Sequence, residues 1–184
     1  REKWEAWVRK KYDLAQNCKF IVSGSSSYLL SNEYSTLLTG RNVSFDVYPL
    51  SFKEFLSFKK IAFDEEMAKK GLIQKQTQYE IANALMEFLS IGGFPSVFFT
   101  ETEFKTKLLA QYFDDIIYRD IVERHNLNPN KVKNLALFLI TNTGGKVSLR
   151  NIRKALGLSY KSINDYFTYF KEAFLLFEIA HFSY

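Results

Sequence analysis

Apolar residues recur every three to four positions along most of this chain and alternate with polar ones in only a few short stretches. A helix buries one stripe at a period of 3.6 and a strand buries one face at a period of two, so the pattern predicts a mostly helical chain with a small β component. Residues 1–15 read as a helix with Trp4, Trp7, Val8 and Leu14 on its apolar side. Phe20-Ile21-Val22 favours a strand and runs into Ser23-Gly24-Ser25-Ser26-Ser27. A strand stopping at a small polar cluster is the form taken by the binding edge of an open α/β sheet. The serines can cap a helix from about Tyr28 to Leu38, with Gly40 past its end. Val43 to Val47 alternates and predicts a second strand, ended by Pro49. Ser51 and Glu54 have the spacing of a capping box ahead of a helix carrying Phe52, Phe55, Leu56 and Phe58.

From residue 62 onward the helical period takes over. The polar stretch Phe63 to Lys70 reads as a flexible excursion. Gln78 to Ser90 predicts a helix with Ile81, Leu85, Phe88 and Leu89 inward, and Gly92-Gly93-Phe94-Pro95 a firm turn. Phe104 to Arg124 reads as one long helix or two abutting ones, with Phe104, Leu108, Tyr112, Ile116 and Ile117 inward. Lys131 to Thr141 is a helix on Val132, Leu135, Ala136, Leu139 and Ile140. Ser148 begins a shorter one on Ile152 and Leu156. Gly157-Leu158-Ser159 turns the chain into a third, running to about Leu176 on Ile163, Phe167, Phe170 and Phe174. Phe177 to Phe182 alternates and reads as a strand. Three helices and a strand, with the tight turn before the third helix, describe a winged helix. The expected organisation is an α/β piece over residues 1–60, a helical piece over 61–125 and a winged-helix domain over 126–184.

Composition narrows the classes. The single cysteine, Cys18, excludes an internal disulfide framework. No run approaches the length of a bilayer span, and the charged start Arg1-Glu2-Lys3 is unlike a secretory signal, so a cytoplasmic chain with no membrane partner is expected. The absence of an initiator methionine suggests sequence upstream. A net charge of +5 permits a nucleic-acid partner without requiring one.

The candidate chemistry is sparse. A P-loop needs backbone amides, a lysine ammonium and a hydroxyl converging on phosphate and Mg²⁺, and Gly24-Ser25-Ser26-Ser27 has no lysine after it. Two histidines, His125 and His181, with no nearby cysteine speak against a metal cluster. Asp114, Asp115, Asp120 and Glu123 read as solvated helix charge. The serine cluster lacks the spacing of a hydrolase nucleophile elbow; it fits better as a strand end that orients water or a phosphate, with Ser23, Ser25 and Ser26 as rivals. Arg41 either neutralises the carbonyls of a helix end or serves a neighbour's phosphate. Arg119 and Arg124 either pair with the acidic residues around them or contact phosphate. In the tail, Lys146, Arg150, Arg153 and Lys154, with Tyr160, Lys161 and Asn164 of the third helix, are candidates for contact with a nucleic acid, against packing or protein contact as the plainer role.

Several runs together resemble a known family. Phe20 to Ser27, Leu38-Thr39-Gly40-Arg41, Tyr48-Pro49-Leu50-Ser51-Phe52-Lys53-Glu54-Phe55-Leu56, Gly92-Gly93-Phe94-Pro95, Tyr118-Arg119-Asp120-Ile121-Val122 and Ser159-Tyr160-Lys161-Ser162-Ile163 resemble archaeal and bacterial AAA+-type P-loop ATPases. In those proteins an ATPase core precedes a domain of unknown function with a winged helix. The resemblance implies an α/β remnant of a P-loop ATPase core, then a helical lid, then a winged helix. It implies Ser25 as the sensor contact to the γ-phosphate or attacking water, Arg41 as an arginine finger across a homo-oligomer interface, and Arg119 and Arg124 in or beside the lid. The phosphate loop and the acidic Mg²⁺ strand would lie in an N-terminal ATPase half before Arg1. The chain alone is then expected to hold no cofactor and to be non-catalytic, while the intact protein uses ATP and Mg²⁺. The alternative is a free-standing winged-helix module that binds duplex DNA.

Overall fold

The structure, a computed structural model, describes residues 4–14, 18–24, 40, 43 and 45–179. The chain divides into two compact units, one made of Arg1–Phe45 with Asp114–Tyr184 and the other of Asp46–Phe113. The described residues are mostly helical.

In the second unit, α2 (Phe52–Phe58) starts on the expected capping box. The Ser51 hydroxyl accepts from the Glu54 amide at 3.3 Å, and the Glu54 carboxylate accepts from the Ser51 amide at 2.8 Å. The bonds from the Ser51 amide and then its hydroxyl hold the Glu54 carboxyl below the usual carboxylate range. The stretch expected to be flexible contains a short helix, α3 (Glu65–Lys69), capped by Asp64, whose carboxylate accepts from the Met67 amide. The helices α4 (Lys75–Ile91), α5 (Pro95–Phe99) and α6 (Thr102–Asp115) follow. The core gathers Phe55, Leu56, Ala84, Ile91 and Val97. Phe55 meets Phe88 and Phe98 edge to face at 5.3 and 5.4 Å, the geometry favoured by ring quadrupoles. Full burial of the Phe55 ring contributes about 1.5–3 kcal/mol of transfer free energy. The helix-period expectation for α4 is corrected at Leu85 and Leu89, which are exposed; Ala84 and Ile91 are the buried positions.

Gly92-Gly93-Phe94-Pro95 is the turn the sequence predicts, and its two glycines have different reasons. Gly92 lies at φ 70° and ψ −165°, a region that side chains rarely enter. Gly93 accepts a 2.7 Å hydrogen bond from the Leu50 amide, and a Cβ there would stand 2.2 Å from the Leu50 carbonyl oxygen. The turn is thereby fastened to the segment that leads into α2.

In the first unit, α1 (Trp4–Leu14) sets Trp7 edge-on to Phe20 at 6.2 Å. Residues Ile116–Glu123 form a π-helical segment. It packs on α7 (Pro129–Thr141), which packs on α8 (Leu149–Leu156), which packs on α9 (Tyr160–Glu172). Ile117, Ile121, Val132, Leu135, Ile152, Ile163 and Phe170 are fully buried. Between α8 and α9, Gly157 takes the left-handed conformation, Leu158 is buried and Ser159 caps α9. The third helix ends at Glu172 rather than near Leu176. Phe174 turns to φ 54° there, and the Phe174 and Leu175 amides donate back to the carbonyls of Lys171 and Phe170. That doubly bonded termination stops the helix.

No strand is formed among the described residues, which corrects the expectation of an α/β remnant. Phe20–Val22, the described part of Val43–Val47, and Phe177–Ile179 are irregular. Strand geometry is held by hydrogen bonds to a neighbouring strand, and these segments have none beside them among the described residues. Val43, Phe45 and Val47, the apolar face of the expected second strand, are 79%, 81% and 93% exposed. The winged helix is likewise without a wing among the described residues. The expected helix Tyr28–Leu38 lies outside them.

Candidate functional site

Two clusters in the first unit gather the functional candidates. The first is on the π-helical segment, a helical form that is rare and tends to appear at functional sites. The Arg119 side chain is 62% exposed, and its Nε donates to Asp120 Oδ1 at 3.1 Å. That hydrogen bond, then the Asp120 charge, raises the guanidinium above its ordinary value. Asp120 itself is only 4% exposed, and its Oδ2 has no hydrogen-bond partner. A buried carboxylate thus grips one side of an arginine whose outer portion faces solvent. One turn earlier, Asp114 accepts from Lys133 of α7 at 2.7 Å, and the Lys133 ammonium lies 5.4 Å from the Tyr118 ring centre. Asp114 is therefore an interhelical ion-pair partner rather than simply solvated. After the segment, His125 stacks on Tyr169 of α9 at 3.7 Å and 15°. Burial lowers its pKa, Glu172 opposes that shift and Arg124 adds to it.

The second cluster is the outer side of α8 and α9. Ile163, Tyr166 and Phe170 turn the inner stripe of α9 into the core and leave Tyr160, Lys161, Asn164 and Thr168 exposed. Arg150, Arg153 and Lys154 are exposed on α8, and Lys146 is exposed in the loop before it. The Arg153 guanidinium lies 5.1 Å from the Tyr160 ring centre, which joins the two helices on this side.

The remaining candidates are separated from these clusters or undescribed. Ser23 is exposed in an irregular segment. Ser25, Ser26 and Arg41 lie outside the described residues. Arg124 is exposed just beyond the π-helical segment. Arg119 pairs with its immediate neighbour Asp120, and the charges of Asp115 and Glu123 act on it as well. The residue that the sequence reading passes over is Asp120, taken with its neighbours as solvated charge. Its signal was spacing: it falls three residues after Ile117 and beside Ile121, on the buried stripe.

A profile described as a domain of unknown function, DUF8612, matches residues 82–184, more than half of the chain. The chain belongs to the DUF8612 family. The DUF8612 region holds both clusters, from Arg119 and Asp120 through α9. An AAA domain profile matches residues 1–56, which relates the chain to AAA-like P-loop ATPases. An uncharacterized protein of Methanocaldococcus jannaschii is 36% identical over 190 aligned residues, covering 100% of this chain and 41% of that protein. An uncharacterized protein of Haemophilus influenzae is 31% identical over 173 residues, covering 91% of this chain and 40% of that protein. The chain thus spans about two-fifths of the length of the curated relatives it matches. No solved structure matches. Among the described residues, no helix is long and apolar enough to cross a membrane, and no three His, Cys, Asp or Glu side chains cluster as metal ligands.

Proposed function

We propose that this chain is the downstream part of a AAA-like ATPase and completes, rather than contains, its nucleotide site. The observation that carries the reading is the AAA match over residues 1–56, with the DUF8612 match following it in the same chain from residue 82. The bare apolar row of Val43, Phe45 and Val47 supports it, because those side chains have the pattern of a strand and have no sheet beside them among the described residues. An N-terminal half of the intact protein would supply that sheet, the phosphate loop and the Mg²⁺ ligands. Ser25, with Ser23 and Ser26 as rivals, would then contact the γ-phosphate or the attacking water. Arg41 would act across a homo-oligomer interface, where it stabilises charge on the transferring phosphoryl group. Arg119 and Arg124 would face phosphate from the helical side, with Asp120 holding the Arg119 guanidinium in one orientation. The helices after Asn128 would be the body of a winged helix.

The test is steady-state hydrolysis of Mg-ATP by the intact protein and by its Arg41→Ala variant, with nucleotide binding measured separately. The expected result is that the variant binds ATP as the parent does and loses roughly 10³–10⁵-fold in kcat. Failure of the intact protein to bind ATP, or an unchanged kcat in the variant, overturns the reading.

A further inference from the structure

We propose that α8 and α9 form a duplex-DNA interface, with the exposed stripe of α9 in the major groove and the cations of α8 and its preceding loop on the flanking phosphates. The inference does not rest on the ATPase reading, because it concerns only the helices after Asn142 and needs no nucleotide.

Geometry comes first. Two helices joined by a three-residue turn, Gly157-Leu158-Ser159, make a helix-turn-helix, and the second helix of such a pair is the one that fits a B-form major groove. The turn is fixed by left-handed Gly157, by burial of Leu158 and by the Ser159 cap, in which the hydroxyl accepts from the Ser162 amide at 3.0 Å. Burial of Ile163, Tyr166 and Phe170 sets the rotation of α9. The residues left outward, Tyr160, Asn164 and Thr168, repeat every four positions and so lie in one line, with Lys161 beside them. Asn164, one turn into the helix, carries the amide that pairs with the N6 and N7 edge of adenine.

Charge comes second. Between Asn142 and Glu172 the chain has six lysines and arginines against two acidic residues, which accounts for four of its five net positive charges. Lys146, Arg150, Lys154 and Lys161 are exposed, and none makes an ion pair among the described residues. Lys171 is different, since it pairs with Glu178 at 3.1 Å. Asp165 is half-buried and lies off the outward line, and Glu172, also half-buried, is the next four-residue step on it, at the C-terminal end of α9. The outward line of α9 contains no aliphatic side chain. A protein-binding helix face needs apolar anchors and few charges at its centre, whereas phosphate recognition needs separated, unpaired cations. The deep, narrow major groove of A-form RNA would not admit α9, so the duplex is DNA.

The experiment is fluorescence anisotropy of a labelled mixed-sequence DNA duplex of about two helical turns, titrated with the 184-residue chain at several salt concentrations. With up to five phosphate contacts, from Lys146, Arg150, Arg153, Lys154 and Lys161, log Kobs should fall with log salt at a slope of about −4 to −5. Affinity should then drop about 10²–10³-fold between about 50 and 200 mM salt. The triple variant Arg150→Gln, Lys154→Gln, Lys161→Gln should flatten the slope by about 3 and bind at least about tenfold more weakly at the lower salt. Its thermal melt should match the parent, since all three side chains are exposed. A control with equal loss of charge, Lys69→Gln, Lys70→Gln, Lys75→Gln in the other unit, should bind as the parent does.

No duplex binding at the lower salt overturns the proposal. So does equal weakening by the control, or binding to single-stranded DNA or duplex RNA as tight as to duplex DNA. Self-association of the parent that the triple variant loses, without duplex binding, would assign this side to protein contact instead.

Discussion

Replacing Gly93 with alanine tests the fastening of the glycine turn to the chain before α2. The added Cβ would stand 2.2 Å from the Leu50 carbonyl oxygen and 2.9 Å from its nitrogen. The first distance is roughly 1.3 Å inside the optimal separation of non-bonded heavy atoms. The obstructing atoms are backbone, so no side-chain rotation relieves the contact. Moving the two segments apart would break the 2.7 Å bond from the Leu50 amide to the Gly93 carbonyl, a loss of about 1 kcal/mol. Overpacking of this kind costs a further 1–3 kcal/mol or so. The expected destabilisation is therefore about 2–4 kcal/mol, which for a chain of this length lowers Tm by about 4–16 °C. The assay is thermal and urea unfolding followed by circular dichroism, with hydrogen exchange at the Leu50 amide as the local readout. The neighbouring Gly92→Ala should also destabilise, but through its φ of 70° alone, because nothing lies within 4 Å of a Cβ there. It should leave the Leu50 amide protected. A Gly93→Ala protein that melts within about 2 °C of the parent and keeps that protection would refute the reasoning.

Three further outcomes are expected. Ser51→Ala removes the hydroxyl that accepts from the Glu54 amide, and should cost about 1 kcal/mol in urea unfolding; no loss would mean the cap contributes nothing. His125 has a lowered pKa in the fold, so the unfolded chain takes up its proton first as pH falls. Its contribution is complete above the ordinary histidine value and is lost on acidification toward the folded value. Tm should therefore drop between about pH 7.5 and 5.5, and His125→Phe, which keeps a ring against Tyr169, should drop less; equal drops would contradict the assignment. Asp120→Val removes a buried carboxylate oxygen with no partner and gives up one bond to an exposed arginine, so the urea midpoint of the chain should rise. A falling midpoint would show that Oδ2 has a partner after all.

Much of the helical pattern was legible because it is written in local chemistry. The capping box of Ser51 and Glu54 and the turn at Gly157-Leu158-Ser159 each act over three or four residues. The outward positions of α8 and α9 follow from the period of their buried stripes, and Arg150, Arg153, Lys154, Tyr160, Lys161 and Asn164 are all exposed as that period requires. Asp120 was harder to read. Its charge argues for solvent and its spacing for the core, and only the packing of the π-helical segment on α7 shows that spacing prevails.

By itself the sequence determined where helices begin and turn, and which sides of α8 and α9 stay wet, because caps, glycines and periodic apolar residues act within a few positions of one another. The tertiary structure decided which apolar residues of α4 are covered, why Gly93 must be glycine, and that Arg119 is held by a buried carboxylate. It also decided that Val43, Phe45 and Val47 lie bare among the described residues. Each of those outcomes depends on a segment distant in the chain arriving at one place, or failing to. A strand pattern has no meaning for burial until another strand lies alongside it.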